Sequence, residues 1–125
     1  MSYVDGFVFV VKNSKLKEYH KMASDAGKIW KKFGALQYFE CIGDDMHPKS
    51  HSMMPLNFPK MAKAKAGEKV FFSFIVYKNK AHRDAVNKKT MDYFSKKYTE
   101  EEMNKPMPFD MKKMAYGGFK SIVEY

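Results

Sequence analysis

The sequence is poor in cysteine and arginine and contains no long apolar segment. Cys41 is the only cysteine among 125 residues, so no disulfide bond can form within the chain, and we expect a reducing compartment, most simply the cytoplasm. No apolar stretch approaches the ~20 residues that cross a bilayer, which excludes a membrane-spanning helix. The N-terminus lacks the basic region, apolar run and cleavage site of a signal peptide. We therefore expect a cytoplasmic protein without membrane contact.

Motifs that bind phosphate, metal or cofactor are also missing. There is no glycine-rich phosphate loop and no nucleophile motif. His47 and His51 have a spacing that binds metal mainly when it lies on a helix, and Pro48 interrupts it. A mobile surface loop is the favoured interpretation of this segment. We predict neither a bound metal nor a cofactor.

The net charge of +9 comes almost entirely from lysine. The lysines are scattered over nearly every segment, and Arg83 is the only arginine, whereas recognition of phosphates and bases favours arginine. This pattern favours a solvated surface over a nucleic-acid-binding face. RNA binding stays open as an alternative.

What the sequence does contain is apolar β-structure within one domain, residues 1–125. Apolar residues make up 45% of the chain and aromatic residues 16%. Residues 68–78, E-K-V-F-F-S-F-I-V-Y-K, are apolar on both alternating faces, and residues 3–12 show the same pattern. Neighbouring residues of a strand point to opposite sides, so both segments are predicted to be central strands of a sheet covered on both faces.

Helix and edge-strand patterns fill the rest of the chain. A helix capped by Asn13 or Ser14 and ended by Gly34 has an apolar stripe of Leu16, Tyr19, Ala23, Ala26, Trp30 and Phe33. More polar residues mark 36–42 as an edge strand, and a long connection, 43–67, follows with a helical turn predicted at 60–65.

The C-terminal part has one long helix and one strand. Asn79 is predicted to cap a helix at 81–98, with Ala85, Val86, Tyr93 and Phe94 on its inner side. A capping box starts at Thr99. The last strand is predicted at 114–125, with Gly117 and Gly118 where side chains would be in the way.

This order of elements predicts an α+β fold, the ferredoxin-like βαββαβ arrangement with a four-stranded antiparallel sheet. We expect the first and third strands side by side at the centre, taken as parallel neighbours, with the second and fourth flanking them antiparallel. Two helices cover one face only, so a monomer would expose a large apolar surface. A second copy packed on that face, giving a homodimeric α/β barrel, is the favoured remedy. The alternative is that residues 43–67 fold over the face.

Five phrases in the sequence resemble the YbaA-like family of small bacterial proteins. They are Tyr3-Val4-Asp5-Gly6-Phe7, Glu40-Cys41-Ile42-Gly43-Asp44-Asp45, Ile75-Val76-Tyr77-Lys78 continuing into Ala81-His82-Arg83-Asp84-Ala85-Val86-Asn87, Met107-Pro108-Phe109-Asp110, and Tyr116-Gly117-Gly118-Phe119. The resemblance covers the whole chain, except that residues 53–57 depart from the family's text. It implies membership of the dimeric α/β-barrel superfamily, which contains cofactor-free monooxygenases, haem-degrading enzymes, isomerases and ligand-sensing modules. The family itself is uncharacterised.

Candidate site residues divide between two ends of the predicted sheet, roughly 26 Å apart for an eight-residue strand. One end holds Asp5, Asp44, Asp45, His47 and His51, and the other holds His82, Arg83, Asp84, Asp110, Lys112 and Lys113. His82 is the candidate acid or base, oriented by Asp84 or Asp110, and Arg83 the candidate anion contact. Tyr116 and Asp5 are further ligand-binding candidates. The alternative is a structural cluster in which Arg83 pairs with an acid and His82 packs.

The predicted function is accordingly general. We expect a cytoplasmic homodimer that binds an unidentified small organic molecule and is a candidate cofactor-independent enzyme. The alternative is a non-enzymatic binding or regulatory module, with RNA as a candidate partner, and a purely structural dimer is the third interpretation.

Overall fold

The computed structural model describes residues 1–125 as a four-stranded antiparallel sheet with its two long helices packed on one face. The strands are β1 (Tyr3–Lys12), β2 (Gln37–Ile42), β3 (Glu68–Tyr77) and β4 (Ala115–Lys120). The helices are α1 (Leu16–Lys32), α2 (Phe58–Met61), α3 (Lys80–Lys97) and α4 (Glu100–Met103), with short 3₁₀ turns at Asn13–Lys15, Lys49–His51 and Met111–Lys113. No helix has the length and apolar character that a bilayer crossing requires.

The strand order is β2-β3-β1-β4, so the two strands predicted to be central are central and β2 is an edge. The expectation that the first and third strands run parallel is wrong. They pair antiparallel, with Tyr3 opposite Tyr77 and Lys12 opposite Glu68. The reason is the connection: β2 and β3 are antiparallel neighbours, and α1 returns the chain so that β2 runs the same way as β1. The start of β1 therefore lies beside the end of β3.

Helix ends follow the sequence signals in most places. Asn79 caps α3 by accepting the His82 N–H at 2.8 Å, the Thr99 capping box forms at α4, and Gly34 has the left-handed φ of 115° expected just beyond a helix. At α1 the prediction is wrong, because a 3₁₀ turn precedes the helix and Lys15 is its N-cap without a side-chain bond.

Four smaller details also differ from the predictions. The helical turn of the long connection is Phe58–Met61 rather than 60–65, because Asn57 caps it and Pro59 lies in its first turn. Ala85 is exposed and Thr90 is buried, so the inner side of α3 is shifted. β4 ends at Lys120, and only Gly118 lies where a Cβ would overlap the Tyr3 side chain.

Helices α1 and α3 cover the face of the sheet that carries the odd-numbered residues of β1 and β3. Phe9, Val11 and Phe71 pack with Tyr19 of α1, and Ile75 and Tyr77 pack with Val86 of α3. Because α1 and α3 both pack on the odd-numbered residues, the even-numbered residues of β1 and β3 lie on the other side of the sheet. This arrangement makes one face the core and the other an apolar surface.

The long connection covers only one end of that second face. Its Ala62 packs on Val10 and Val70, which are buried. Nearer the middle, Phe72 is 45% exposed, and Phe39 and Phe119 on the edge strands are 47% and 61% exposed. The alternative in which residues 43–67 cover the whole face is therefore not what the fold does.

Candidate functional site

Polar side chains lie in three groups on the helix-covered face of the sheet. The Asp5 cluster comprises Asp5, Tyr3, Arg83 and Tyr116. The Tyr77 cluster comprises Tyr77, Trp30 and Asn87. The Glu40 cluster comprises Glu40, Tyr19, Tyr38 and Ser73. Polar groups inside a core are costly unless they bond to one another, and each group satisfies its members.

The Asp5 cluster brings together three of the predicted ligand-binding residues. Arg83 Nη1 donates to Asp5 Oδ1 at 2.8 Å and to the Tyr116 hydroxyl oxygen at 2.7 Å, and the Tyr116 hydroxyl donates to the same Asp5 oxygen at 3.1 Å. The guanidinium also lies over the Tyr3 ring, 4.9 Å from its centroid. Asp5 is 2% exposed, so these contacts hold a buried carboxylate.

The prediction that Asp5 and Arg83 lie at opposite ends of the sheet is wrong. It followed from parallel central strands; because β1 and β3 are antiparallel, the start of β1 meets the residues that follow β3. Asp110 lies away from this cluster, where it caps the 3₁₀ turn by accepting the Lys112 N–H at 2.9 Å. Lys113, in the same turn, approaches Glu68 at the far end of β3.

Arg83 directs its hydrogen-bond donors into the protein. Besides its Nη1 contacts, Nε donates to Asp84 at 2.8 Å, and the Arg83 side chain is 13% exposed. Burial lowers the pKa of Arg83, but Asp5, Tyr116, Asp84 and Tyr3 together outweigh it, so that the pKa is raised on balance. A guanidinium paired with two carboxylates has little charge left for an anionic ligand or a phosphate backbone. The geometry agrees with the structural-cluster interpretation of this residue.

The side chain of His82, the predicted acid or base, bonds to the backbone between β3 and α3. Its Nδ1 accepts the Lys78 N–H at 3.0 Å, so in the neutral ring the proton lies on Nε2. The ring packs edge-on against Tyr77, and Nε2 is close to Gly34, where a Cβ would lie 3.4 Å away. Asp84 bonds to Arg83 and not to His82. The predicted orientation of His82 by Asp84 or Asp110 does not form.

The two loop histidines face different partners. His47 Nδ1 is 3.5 Å from Asn57 Nδ2, and His51 Nδ1 is 2.8 Å from the hydroxyl of Ser50. No group of three or more His, Cys, Asp or Glu side chains is placed so that it could hold a metal ion.

The Glu40 cluster was not among the predicted site residues. Glu40 Oε2 accepts from the Tyr19 hydroxyl at 2.8 Å and from the Ser73 hydroxyl, and Oε1 accepts from the Tyr38 hydroxyl at 2.7 Å. Glu40 and Ser73 are direct neighbours across β2 and β3, and Tyr19 reaches them from α1. The available signal in the sequence is an acid that shares a face of the predicted strand with Tyr38, a pattern that is equally typical of an edge strand.

A cleft of about 260 Å³ opens beside this cluster, between α1 and β2. Its lining residues are Tyr19, His20, Ala23, Ser24, Gly27, Tyr38 and Glu40. Gly27 brings α1 close to the strand, because a Cβ there would lie 2.8 Å from the Tyr38 ring. Small residues on the helix and aromatic rings on both sides thus shape a recess with one carboxylate in its wall.

The phenols of this cluster stay protonated at neutral pH. Burial, followed by the Glu40 charge, raises the pKa of Tyr19 and of Tyr38 far above the ordinary value of 10. Such phenols donate hydrogen bonds and cannot act as bases near pH 7. Their role is to hold the Glu40 carboxylate in a fixed position at the cleft.

Comparisons with known proteins agree with the family resemblance seen in the sequence. The model of the family described as "Protein of unknown function (DUF1428)" matches residues 2–111. The "Uncharacterized protein YbaA" of Escherichia coli strain K12 is 41% identical over 124 residues, covering 99% of both chains, and that of Shigella flexneri matches equally. A solved structure, "De novo designed protein Foldit4", is similar with a TM-score of 0.50 at 9% identity, over 97% of this chain and 99% of that chain. The last similarity concerns the fold alone.

Proposed function

Because this chain belongs to the DUF1428 family of unknown function, its own residues must carry the argument, and we propose that it is a small-molecule-binding protein. The proposed site is the cleft between α1 and β2. The observation that carries the proposal is Glu40, whose carboxylate accepts three hydroxyl groups in the wall of that cleft. A carboxylate held by three partners before any ligand arrives costs little further ordering on binding.

The proposed location differs from the His82 end favoured by the sequence. Arg83 is occupied by Asp5 and Asp84, and His82 by the Lys78 backbone, whereas the Glu40 carboxylate borders an open recess. Pockets that bind small molecules are concave and largely apolar with a few fixed polar groups. The α1–β2 cleft has these properties, and protonated phenols around Glu40 favour binding over base catalysis by tyrosine.

We further propose that the functional unit is a cytoplasmic homodimer of ferredoxin-like subunits. The element order and the sheet order β2-β3-β1-β4 support the ferredoxin-like arrangement. The part of this face beyond the long connection carries Val4, Phe72, Phe74 and Val76, flanked by Phe39 and Phe119, and includes no charged residue. In a chain with 30% charged residues, an uncharged apolar face is best matched by an identical face. The proposed occupant is a second copy of this chain.

Ligand capture from a metabolite extract tests the binding proposal. The wild-type protein, Glu40→Gln and His82→Ala are each dialysed against the same extract, and retained compounds are identified by mass spectrometry. We expect a compound retained by the wild type and by His82→Ala but lost from Glu40→Gln, with circular dichroism confirming that all three are folded. If all three proteins retain the same compound, the cleft is not its binding site. If only His82→Ala loses the compound, the site lies at His82 instead.

A further inference from the structure

The charge balance of the Glu40 cluster indicates what kind of molecule the cleft takes. Only three acidic residues of the chain are buried or partly buried: Asp5, Glu40 and Glu68. Asp5 pairs with Arg83 at 2.8 Å, and Glu68 approaches Lys113 at 3.5 Å. None of the five ion pairs in the chain includes Glu40. In a protein with 23 basic residues, this acid alone is withdrawn from solvent without a cation.

The wall of the cleft around Glu40 accepts hydrogen bonds, and the lining side chains able to donate, His20 and Ser24, belong to α1 and not to the Glu40 cluster. The protons of Tyr19, Tyr38 and Ser73 all point to the carboxylate. What this wall presents to the cleft is the lone pairs of the Tyr19 and Tyr38 oxygens and the negative charge of Glu40, since Ser73 is buried and does not line the cleft. A ligand that is itself an acceptor, such as a carboxylate or phosphate, finds repulsion there. A ligand with N–H donors and a positive charge meets both requirements.

The walls of the cleft favour the same class of ligand. Tyr19 and Tyr38 provide aromatic rings, and Ala23 and Gly27 provide small apolar contacts. Aromatic rings attract cations, and the charge-assisted hydrogen bond to Glu40 fixes their position. The volume of about 260 Å³ is below the ~300 Å³ at which pockets for drug-sized molecules begin, which limits the ligand to a small amine.

The charge of the whole protein restricts the ligand further. A net charge of +9 repels cations, and the repulsion grows with the charge of the ligand. The contact with Glu40 is partly buried and short, so it is screened less than the long-range repulsion. One positive charge satisfies Glu40, and each additional charge has no acidic partner in the cleft.

We propose that the α1–β2 cleft binds a small organic cation with a single amine, which pairs with Glu40 as Arg83 pairs with Asp5. The inference rests on the proposed small-molecule function of the same cleft. It adds the chemical class of the ligand and the atom that recognises it, and it excludes anionic ligands and polyamines.

Three probes of related shape and one polyamine test the charge preference. Benzylamine is a monovalent cation at neutral pH, benzyl alcohol is its neutral analogue, benzoate is its anionic analogue, and spermidine carries several charges. Affinities are measured by titration against the amide and side-chain NMR signals of the cleft. We expect benzylamine to bind about tenfold or more tightly than benzyl alcohol, the difference made by a charged hydrogen bond, with no binding of benzoate or spermidine in the cleft.

Two variants locate the binding. Glu40→Gln keeps the shape but removes the charge, and we expect it to lose the preference for benzylamine over benzyl alcohol. Because Glu40→Gln can also weaken the cluster, Ser24→Phe provides a second test: this residue is exposed at the cleft and its substitution obstructs entry without touching the cluster. Benzylamine binding should fall in both variants, and unchanged binding in either contradicts the inference.

The outcomes separate this inference from the proposed function. If benzyl alcohol or benzoate binds in the cleft as tightly as benzylamine, the inference about charge is wrong while the cleft remains a binding site. If benzylamine does not bind, and the compound captured from a metabolite extract in a Glu40-dependent manner is neutral or anionic, the inference is again overturned alone. If no compound is captured and no probe binds, both the inference about charge and the proposed binding function are wrong.

Discussion

Arg83 and Asp5 are joined by a 2.8 Å hydrogen-bonded ion pair across 78 positions of sequence. The pair connects the first turn of α3 to the central strand β1. The side chain of Asp5 is 2% exposed and that of Arg83 is 13% exposed, so water screens their interaction only weakly. Neither charge could be buried without the other, because an unpaired buried charge is strongly unfavourable.

Removing Arg83 alone should therefore destabilise the fold severely. We expect Arg83→Met to lower the free energy of unfolding by about 3–5 kcal/mol, because Asp5 is left as an uncompensated buried charge. The double variant Asp5→Asn with Arg83→Met removes both charges and should recover most of the loss. Urea unfolding of the three proteins measures the effect. A single variant that loses less than the double variant would show that the pair is not the stabilising element.

Alkaline titration of the tyrosines tests the buried phenols. Burial and Glu40 raise the pKa of Tyr19 and Tyr38, and burial and Asp5 raise that of Tyr77. A raised pKa in the folded state gives stability that is complete below the unfolded value near 10 and is lost as the pH rises toward the folded value. We expect these three to ionise only together with unfolding above about pH 10, measured by phenolate absorbance and circular dichroism.

Tyr38→Phe is the matched control for this titration, because it removes one buried phenol and keeps the ring. The late, unfolding-linked part of the absorbance change should shrink, and the early part should not. If all eight tyrosines ionised before the circular dichroism changed, the Glu40 and Tyr77 clusters would not be closed to solvent as described.

A charge in the middle of the uncovered sheet face should separate the proposed dimer. Phe72 is 45% exposed in one subunit, so Phe72→Glu costs the monomer little and places a charge against the partner's apolar face. We expect the wild type to sediment at twice 14.6 kDa and Phe72→Glu at 14.6 kDa under the same micromolar conditions.

Met91→Glu is the control for that experiment. Met91 is 50% exposed on α3, on the opposite layer of the subunit, so the same change there should leave the mass unchanged. A wild-type mass of 14.6 kDa that does not rise on concentration would end the dimer proposal. Equal dissociation by both variants would assign the effect to net charge and not to the sheet face.

The strands and the two long helices were predictable because their signals are local. The apolar residues on both faces of 68–78 can be read from that segment alone. Asn79 caps α3 by bonding to His82, only three residues away. The same alternation of apolar residues predicted that β1 and β3 lie at the centre of the sheet, as they do. The relative direction of these strands has no local signal, and the wrong choice there moved Asp5 to the wrong end of the sheet.

The Glu40 cluster was not predictable for a related reason. Tyr19, Glu40 and Ser73 come from α1, β2 and β3, and no spacing in the sequence relates them. Only the shared parity of Tyr38 and Glu40 was visible, and a polar parity is equally typical of an edge strand. The carboxylate is distinguished by what surrounds it and not by its place in the chain.

The sequence by itself determined the elements of this protein, the identity of its central strands and the apolar face that the helices leave uncovered, because alternation and capping act between residues close in the chain. The tertiary structure alone decided which acid meets a cation and which does not. Asp5 finds Arg83 because antiparallel pairing brings the start of β1 to the end of β3, while Glu40 meets only hydroxyl groups beside the α1–β2 cleft. Charge pairing in a core depends on the packing of distant segments, and that packing exists only in the folded chain.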